Sequence, residues 1–443
     1  MSTNSEPTFV RMVHPPGFRL RRGLNWASLG LLYTSFYMCR YNFSIANKSI
    51  SQEFGFTRAQ MGSIITTALF AYACGQIING LLTDRLGGKR AMLIGAAGTV
   101  TMNLLFGAAS FVGMLGLFVA IRGLDGYLQA FGAPGMVKIN AAWFARRERG
   151  RFSGIFGFVI NLGRFGIFNF GPALLAGFSL LGLITVPPLH WRWLFWAPSA
   201  VCAAVAVFMA FAVAETPEEA GYPGVVPDDT DTQGAGVQTN IAQVIGRITR
   251  NPVVWITACA YACTGAVRQA VDQWFPRYMQ ESFSVDLNST SFKFLAFLIP
   301  FVASAGSLTS GYVSDIFCKG RRAPVAAVLY FSETAIILLA AQFHSLTAAT
   351  VSFILISFTA NSTHSILGSA APMDIGGRKM AGFALGLIDS FQYFGGSLAG
   401  YFLGRLLDQS LGNYFYFMAP FGFMGGLLML FVRSEMENPP VTN

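Results

Sequence analysis

Charge is scarce in this sequence: 12% of its 443 residues are acidic or basic, about half the share of an ordinary soluble domain. With 53% of residues hydrophobic, that scarcity excludes a disordered chain, a coiled coil and a soluble domain. Cysteine is scarce too. The six, Cys39, Cys74, Cys202, Cys259, Cys263 and Cys318, fall mostly inside apolar runs, which reads as small buried hydrophobes and not as a disulfide framework. Cys259 and Cys263 stand one helical turn apart, yet no histidine or further cysteine lies near them in sequence to complete a metal shell. The four histidines, His14, His190, His344 and His364, form no nucleophile-and-base or metal cluster, which argues against an intramembrane enzyme. A Gly-x-x-x-x-Gly-Lys-Ser/Thr loop is absent, so gradients and not ATP must supply any energy the chain uses. No cofactor or metal is called for. The stretch holding Arg11, His14, Pro15 and Pro16 lacks the apolar core and cleavage site of a signal peptide, so the first helix is expected to stay in the mature protein.

Apolar runs of bilayer length are what the sequence has in abundance. Each crossing needs about 20 predominantly apolar residues, and charged or Gly/Pro-rich breaks divide the chain into twelve such segments. The expectation is an all-α membrane protein, with twelve transmembrane helices in two pseudo-symmetric six-helix bundles. Helix four is predicted over 113–142, helix five over 152–177, helix ten over 346–370 and helix eleven over 380–407. Around them the organisation reads as an N-terminal segment 1–23, a first bundle 24–214, a linker 215–252, a second bundle 253–433 and a tail 434–443. The linker is the one long polar stretch, rich in Pro217, Pro223, Pro227 and the acids that follow. Basic clusters fall in alternate loops, at Arg85/Lys89/Arg90, Arg146/Arg147/Arg149/Arg151, Arg247/Arg250, Lys319/Arg321/Arg322 and Arg378/Lys379. That bias puts both termini in the cytoplasm of an integral multi-pass protein of the cell (inner) membrane.

The two halves repeat one another. Gly80-Leu-Leu-Thr-Asp84-Arg85-Leu-Gly87-Gly-Lys89-Arg90 follows the second helix, and Gly311-Tyr-Val-Ser-Asp315 closes the eighth. Gly150 and Gly154 in helix five match Gly382 and Gly386 in helix eleven, and Arg40 in helix one matches Arg268 in helix seven, all at nearly the same offset. Duplication of this kind places a substrate path at the interface of the repeats, near the bilayer midplane. The 80–90 loop, with its small residue at a close helix contact, an acid at a helix end and flanking bases, resembles the signature loop of the major facilitator superfamily. The resemblance implies that fold, and a role for Asp84, Arg85 and Lys89 in conformational switching.

An ionised side chain at the bilayer centre costs at least about 2.5 to 3.5 kcal/mol, so each one inside a span needs a partner, water or a substrate. Arg40, Arg122, Arg164 and Arg268 are predicted within helices, against Asp125, Asp272, Glu333 and Asp389. Arg122 with Asp125 and Arg268 with Asp272 have the spacing of intrahelical pairs. Arg40 has no acid beside it. It sits in Tyr37-Met-Cys39-Arg40-Tyr41-Asn42-Phe43, where a planar guanidinium suits bidentate capture of phosphate or carboxylate. Asp389 is either paired with a base such as Arg164 or able to exchange a proton, and with Glu333 it forms the candidate set for ion coupling.

Four further pieces are similar to the organophosphate:phosphate antiporter family. They are Tyr37-x-x-Arg40-x-Asn42-Phe43, Trp143-Phe-x-x-x-Glu148-Arg-Gly150, Glu215-Thr-Pro217 with Gly221, and Arg268 with Trp274 and Pro276. The resemblance implies that Arg40 and Arg268 bind the phosphate, with Tyr37, Gln76, Asn161 and Arg164 completing the substrate site. Where that family's glycerol-3-phosphate transporters carry a lysine in helix two and a histidine in helix five, this chain has Gln76 and Ile160, and Arg164 is expected to supply the missing positive charge. Helices one and two also resemble a sister branch, the organic anion symporters for sugar acids, but Cys39 and Gln129 stand where that branch has its acids. The expected function is secondary transport of a small organic anion by alternating access, as exchange of an organophosphate for inorganic phosphate. The alternatives are a proton-coupled symporter of a carboxylate or sugar acid, and a transporter-like substrate sensor. The expected partners are that small anion and the lipid bilayer, with no nucleic acid, and the chain is expected to act as a monomer.

Overall fold

The computed structural model describes residues 15–144, 146–180, 184–225, 246, 250–318, 321–370 and 386–436. Most of the linker, the Lys319 and Arg378/Lys379 bases and the Gly382 end of the repeat fall outside the described residues, as do the side chains of 145–157, Ile160 and Asp315.

The first half begins with α1 (Phe18–Phe54). Between Ser28 and Asn47 nearly every residue of α1 is buried, so this helix is packed on all sides inside the bundle and shows no single buried face. Gly55, at φ 68°, ends the helix by returning its N–H to the Ser51 carbonyl. Thr57 and Gln60 then form a capping box that starts α2 (Arg58–Leu86). After α3 (Gly88–Ala109) the fourth span divides into α4 (Leu115–Gln129) and α5 (Gly132–Trp143), followed by α6 (Arg146–Ala176) and α7 (Trp193–Ala212). The second half holds α8 (Pro252–Ser282), α9 (Thr290–Phe317), α10 (Arg322–Gln342) and α11 (Leu346–Ser365), the last running into a π turn at Ile366–Ala370. Helical residues 386–398 form α12, and α13 (Tyr401–Gln409) and α14 (Asn413–Met436) complete it. These helices make up twelve crossing segments.

The helices depart from the sequence reading in three places. Helix four is not continuous over 113–142, because Pro134 offers no N–H to the turn before it and its ring clashes there. Helix eleven breaks between α12 and α13 at Gly400, whose φ and ψ of −85° and −97° are not helical. Helix ten ends its α-helical part at Ser365 and continues to 370 in wider π geometry. An unforeseen two-stranded hairpin, β1 (Phe178–Leu180) against β2 (Ile184–Val186), follows α6.

Among the described residues, seven helices have both the length and the apolar composition to cross a membrane. The long helices α1, α6 and α8 are missing from that set because they carry the buried arginines and amides. Outward-facing side chains such as Phe211, 86% exposed, and Phe317, 75% exposed, give the bundle an apolar exterior, which suits a hydrocarbon solvent. The halves meet along three seams, α1 with α8, α2 with α13, and α6 with α9. The last two exchange under the repeat, since helices two and five correspond to eight and eleven.

Candidate functional site

Arg40 and Arg268 enter the space between the halves from α1 and α8. On α1 the helical period places Tyr37 one turn before Arg40, and the guanidinium lies 4.9 Å from that ring centre. Tyr72 of α2 stands 4.2 Å away on another side, and Tyr393 of α12 at 5.8 Å. Ring faces stabilise a buried cation by up to about 2 kcal/mol without neutralising it. Arg40 Nε donates to Gln129 Oε1 (3.0 Å) and Nη1 to the Tyr393 hydroxyl (3.1 Å). Nη2 is buried and has no hydrogen-bond partner among the described residues. The Gln129 amide in turn donates to Asp125 Oδ1 (3.1 Å), whose other oxygen is held by Arg122 Nη1 at 2.7 Å. Arg122 and Asp125 therefore satisfy each other, and among the described residues only neutral groups, the Gln129 carbonyl and the Tyr393 hydroxyl, accept from Arg40. A small cavity beside it is lined by Tyr72, Arg122, Asp125, Gln129 and, from the other half, Gln273.

Arg268 has a different environment. Its Nε lies 3.8 Å from Asp272 Oδ2, one turn further along α8. Asp272 also forms a direct ion pair with Arg164 of α6 and accepts the Tyr41 hydroxyl of α1 at 3.2 Å. Arg164 lies against the Tyr41 ring, 5.4 Å from its centre, and its Nη1 reaches Asn161 Oδ1 at 3.4 Å. The Arg164–Asp272 pair is withdrawn from solvent, at 1% and 2% side-chain exposure, and it joins one half to the other. Removing one partner of so buried a pair costs about 3–5 kcal/mol, because the remaining charge has no solvent.

Polar side chains bridge the seam around these arginines. Gln76 of α2 donates to Asp389 Oδ2 of α12 (3.1 Å), and Asn161 of α6 to Ser304 Oγ of α9 (3.0 Å). Tyr37, Arg40, Gln76, Asn161, Arg164, Arg268 and Asp389 are thus brought together between the halves. The pairing of Asp389 with Arg164 is not formed: Arg164 is committed to Asp272, and Asp389 is held by Gln76 and, at 3.5 Å, by the Tyr261 hydroxyl. Glu333 lies elsewhere, fully buried on α10, where Thr359 Oγ1 donates to it at 3.3 Å.

Asp84, Arg85 and Lys89 sit at the α2–α3 end. The Asp84 side chain is 78% exposed, with Lys138 Nζ at 4.0 Å from its carboxylate and 2.9 Å from its carbonyl oxygen. The first amides of α3, at Gly88 and Lys89, are capped by the Glu215 carboxylate at 2.5 and 3.4 Å. An acid at a helix N-terminus is favoured by the helix dipole, so the Glu215-Thr-Pro217 motif fastens the signature loop to the end of α7.

The opposite, α1–α2 end carries a cross-half latch. Arg58 Nε pairs with Glu281 Oε2 (2.8 Å), while Asp408 of α13 accepts the backbone N–H groups of Arg58 and Ala59, each at 2.9 Å. Arg277 holds Glu281 (2.7 Å) and reaches across to Asn47 (2.7 Å) and Ser51 (3.0 Å). Just inside, Gly62 lies flat against Gly400, and a methyl group on either would run into the other's carbonyl. Among the described residues, the polar contacts between halves run from this end only as far as the arginine layer.

Sequence reasoning did not find Asp272 as a bridge between halves, nor Gln129 and Tyr393 on Arg40, nor the contact of Tyr261 with His364. Tyr261, Arg268 and Asp272 share one face of α8 at helical spacing, a signal that was available.

Twelve crossing segments in two repeated halves, with arginines from both at the seam, define a two-bundle membrane transporter. The model of the Major Facilitator Superfamily matches residues 29–400, and the chain belongs to that superfamily. It is 27% identical over 394 residues to the membrane sensor protein UhpC of Escherichia coli (strain K12), across 86% of this chain and 85% of that one. It is 25% identical over 409 residues to the glycerol-3-phosphate transporter of Bacillus subtilis (strain 168), across 90% and 86%. These relatives are of the organophosphate:phosphate antiporter family, the branch that helices one and seven resemble. In fold, the chain matches the crystal structure of a bacterial homolog to the human lysosomal transporter Spinster, inward-facing and unoccupied, with a TM-score of 0.74 at 17% identity over 93% of this chain and 98% of that one.

Proposed function

We propose that this chain is a secondary active transporter that exchanges a small phosphate ester, such as glycerol 3-phosphate or a sugar phosphate, for inorganic phosphate by alternating access. The observation that carries the reading is the state of Arg40: a buried guanidinium with no carboxylate against it and with Nη2 lacking a partner among the described residues. A buried, unneutralised cation is costly, and a tetrahedral oxyanion supplies both the charge and the acceptor oxygens it lacks. The seam holds three arginines, Arg40, Arg164 and Arg268, and two carboxylates, Asp272 and Asp389, leaving net positive charge for the substrate.

Exchange follows from where Asp272 sits. An oxyanion bound by Arg268 and Arg164 competes with the Asp272 carboxylate for the same N–H groups. Arg164 and Asp272 belong to different halves, so the competition loosens a contact that crosses the seam. An empty site keeps that contact, which opposes reorientation without cargo. In this reading the halves 24–214 and 253–433 rock about the site, joined by the linker 215–252. Asp84, Arg85 and Lys89 govern the switch, and Asp389, partly accessible beside the site, ranks ahead of Glu333 as the coupling candidate of the rival proton symporter. By the bias of its basic loops the α2–α3 end and both termini lie in the cytoplasm of a cell-membrane protein, so the latched end faces outward; the chain is read as a monomer.

Reconstitution tests the proposal. Vesicles loaded with phosphate should accumulate labelled glycerol 3-phosphate or hexose phosphate without a pH gradient. Uptake that ignores internal phosphate and needs a pH gradient identifies proton symport instead. Binding with no flux under any condition identifies a sensor.

A further inference from the structure

A polar feature beside the arginines that the transport reading leaves unused is on α11. His364 occupies the last turn of that helix, immediately before the π turn, and such insertions concentrate at functional positions. The residue is half-buried. Nδ1 lies 2.5 Å from the Tyr261 hydroxyl, the two rings stack with centres 5.5 Å apart, and Nε2 is 3.5 Å from Arg268 Nη1. The π turn sets this contact, since Gly368 lies on the Tyr261 hydroxyl and a side chain there would push it away.

Arginine only donates hydrogen bonds, so at Arg268 the Nε2 atom must accept. The ring proton is then on Nδ1 and is given to Tyr261, whose own hydroxyl proton points to Asp389 Oδ1 at 3.5 Å. The resulting chain runs one way, from Arg268 through His364 and Tyr261 to Asp389, across α8, α11 and α12. It also presents a lone pair beside the guanidinium that is to bind an anion. A lone pair facing an oxyanion is repulsive, and reversing the tautomer removes the conflict.

We infer that His364 is a third ligand of the transported anion, and that Nε2 changes from an acceptor of Arg268 to a donor to a phosphate oxygen when the site fills. The inference rests on the reading that the anion binds at Arg268. In the loaded site the Arg268 N–H turns to the anion and the Tyr261 hydroxyl turns to donate to Nδ1. One proton leaves Nδ1 and one arrives at Nε2, by exchange with water, so the ring keeps its charge. Asp389 loses Tyr261 as a donor and keeps Gln76. Two guanidinium groups and one imidazole then match the three non-bridging oxygens of a phosphate monoester better than the two oxygens of a carboxylate, so His364 is also a determinant of substrate class.

The test is nitrogen NMR of the full chain in lipid nanodiscs with labelled histidine, the His364 signal being assigned by its loss in His364→Gln. Saturating inorganic phosphate or glycerol 3-phosphate should move Nε2 from the unprotonated to the protonated position. Binding is measured on the same samples. His364→Leu should weaken both ligands about tenfold or more, as expected for losing a hydrogen bond to a charged group, and weaken a sugar acid much less. His364→Gln keeps an N–H donor and should recover most of the affinity. An Nε2 that stays unprotonated in a phosphate-saturated site overturns the role of His364 and leaves the transport reading standing. Wild-type protein that binds neither phosphate nor ester overturns both.

Discussion

Arg40 and Arg268 are mates in the repeat, yet their surroundings differ. Arg40 is walled by three tyrosine rings and meets an amide carbonyl, whereas Arg268 has a carboxylate one turn away that it shares with Arg164. The first half therefore contributes an unspent charge and the second a charge already committed to holding the halves together. A symmetric clamp would bind an anion equally from both sides. In the proposed function this asymmetric one senses an anion at Arg40 and releases the seam at Asp272, which would divide recognition from switching between two copies of one repeated position.

The largest expected effect comes from destroying the committed side. Asp272→Asn leaves Arg164 and Arg268 facing each other without a counter-charge, and should lower the stability of the empty protein by about 3–5 kcal/mol. Thermal unfolding in detergent checks this, with phosphate recovering more stability in the variant than in the wild type because it replaces the missing charge. Making the two arginines alike comes next. Gln129→Glu sets a carboxylate against Arg40, and should reduce affinity for phosphate esters by about 10- to 100-fold, the worth of a charge-assisted contact of roughly 1.5–3 kcal/mol. Equilibrium binding reads the result, and undiminished affinity would mean that Arg40 is not the uncompensated charge the anion meets.

Lysine substitution sharpens the contrast at smaller cost. It keeps the charge and loses the planar fork, so Arg40→Lys should weaken binding about tenfold with unchanged stability. Arg268→Lys should weaken binding and also lower the melting temperature, since Asp272 then loses part of its support. Equal behaviour of the two variants in paired binding and melting measurements would erase the asymmetry. The smallest changes belong to the two ends. Arg58→Ala removes a partly exposed ion pair worth about 0–1 kcal/mol, and Asp84→Asn alters a largely exposed carboxylate. Both should change transport rates a few-fold while leaving ligand affinity in place, as stopped-flow flux and binding would show.

Much of this architecture was legible in apolar run lengths and in the matched positions of Asp84 with Asp315 and Arg40 with Arg268. Helix breaks were not, because Pro134 and Gly400 lie inside the segments that run length and loop charge delimit. Arg40 could be singled out since its lack of an adjacent acid is a local fact. The bond between Arg164 and Asp272 could not, since it depends on how α6 lies against α8, and a search by spacing along one helix finds only Arg268 for Asp272. For the same reason Asp389 was offered Arg164 as a partner when Gln76 and Tyr261 hold it. His364 was passed over because histidines were weighed as metal ligands or bases, and here the imidazole stands among hydrogen bonds of neutral groups and one guanidinium.

The Gly62–Gly400 contact has one more consequence. The ion pairs at the latched end are partly wet, and salt weakens such pairs, but two backbones in direct contact depend on shape and are indifferent to ionic strength. The fit exists only because neither residue has a β-carbon. In the alternating-access reading, which way the resting molecule faces is thus recorded in atoms that are missing, and a single alanine at Gly62 or Gly400 should tilt the population toward the opposite orientation by steric force alone.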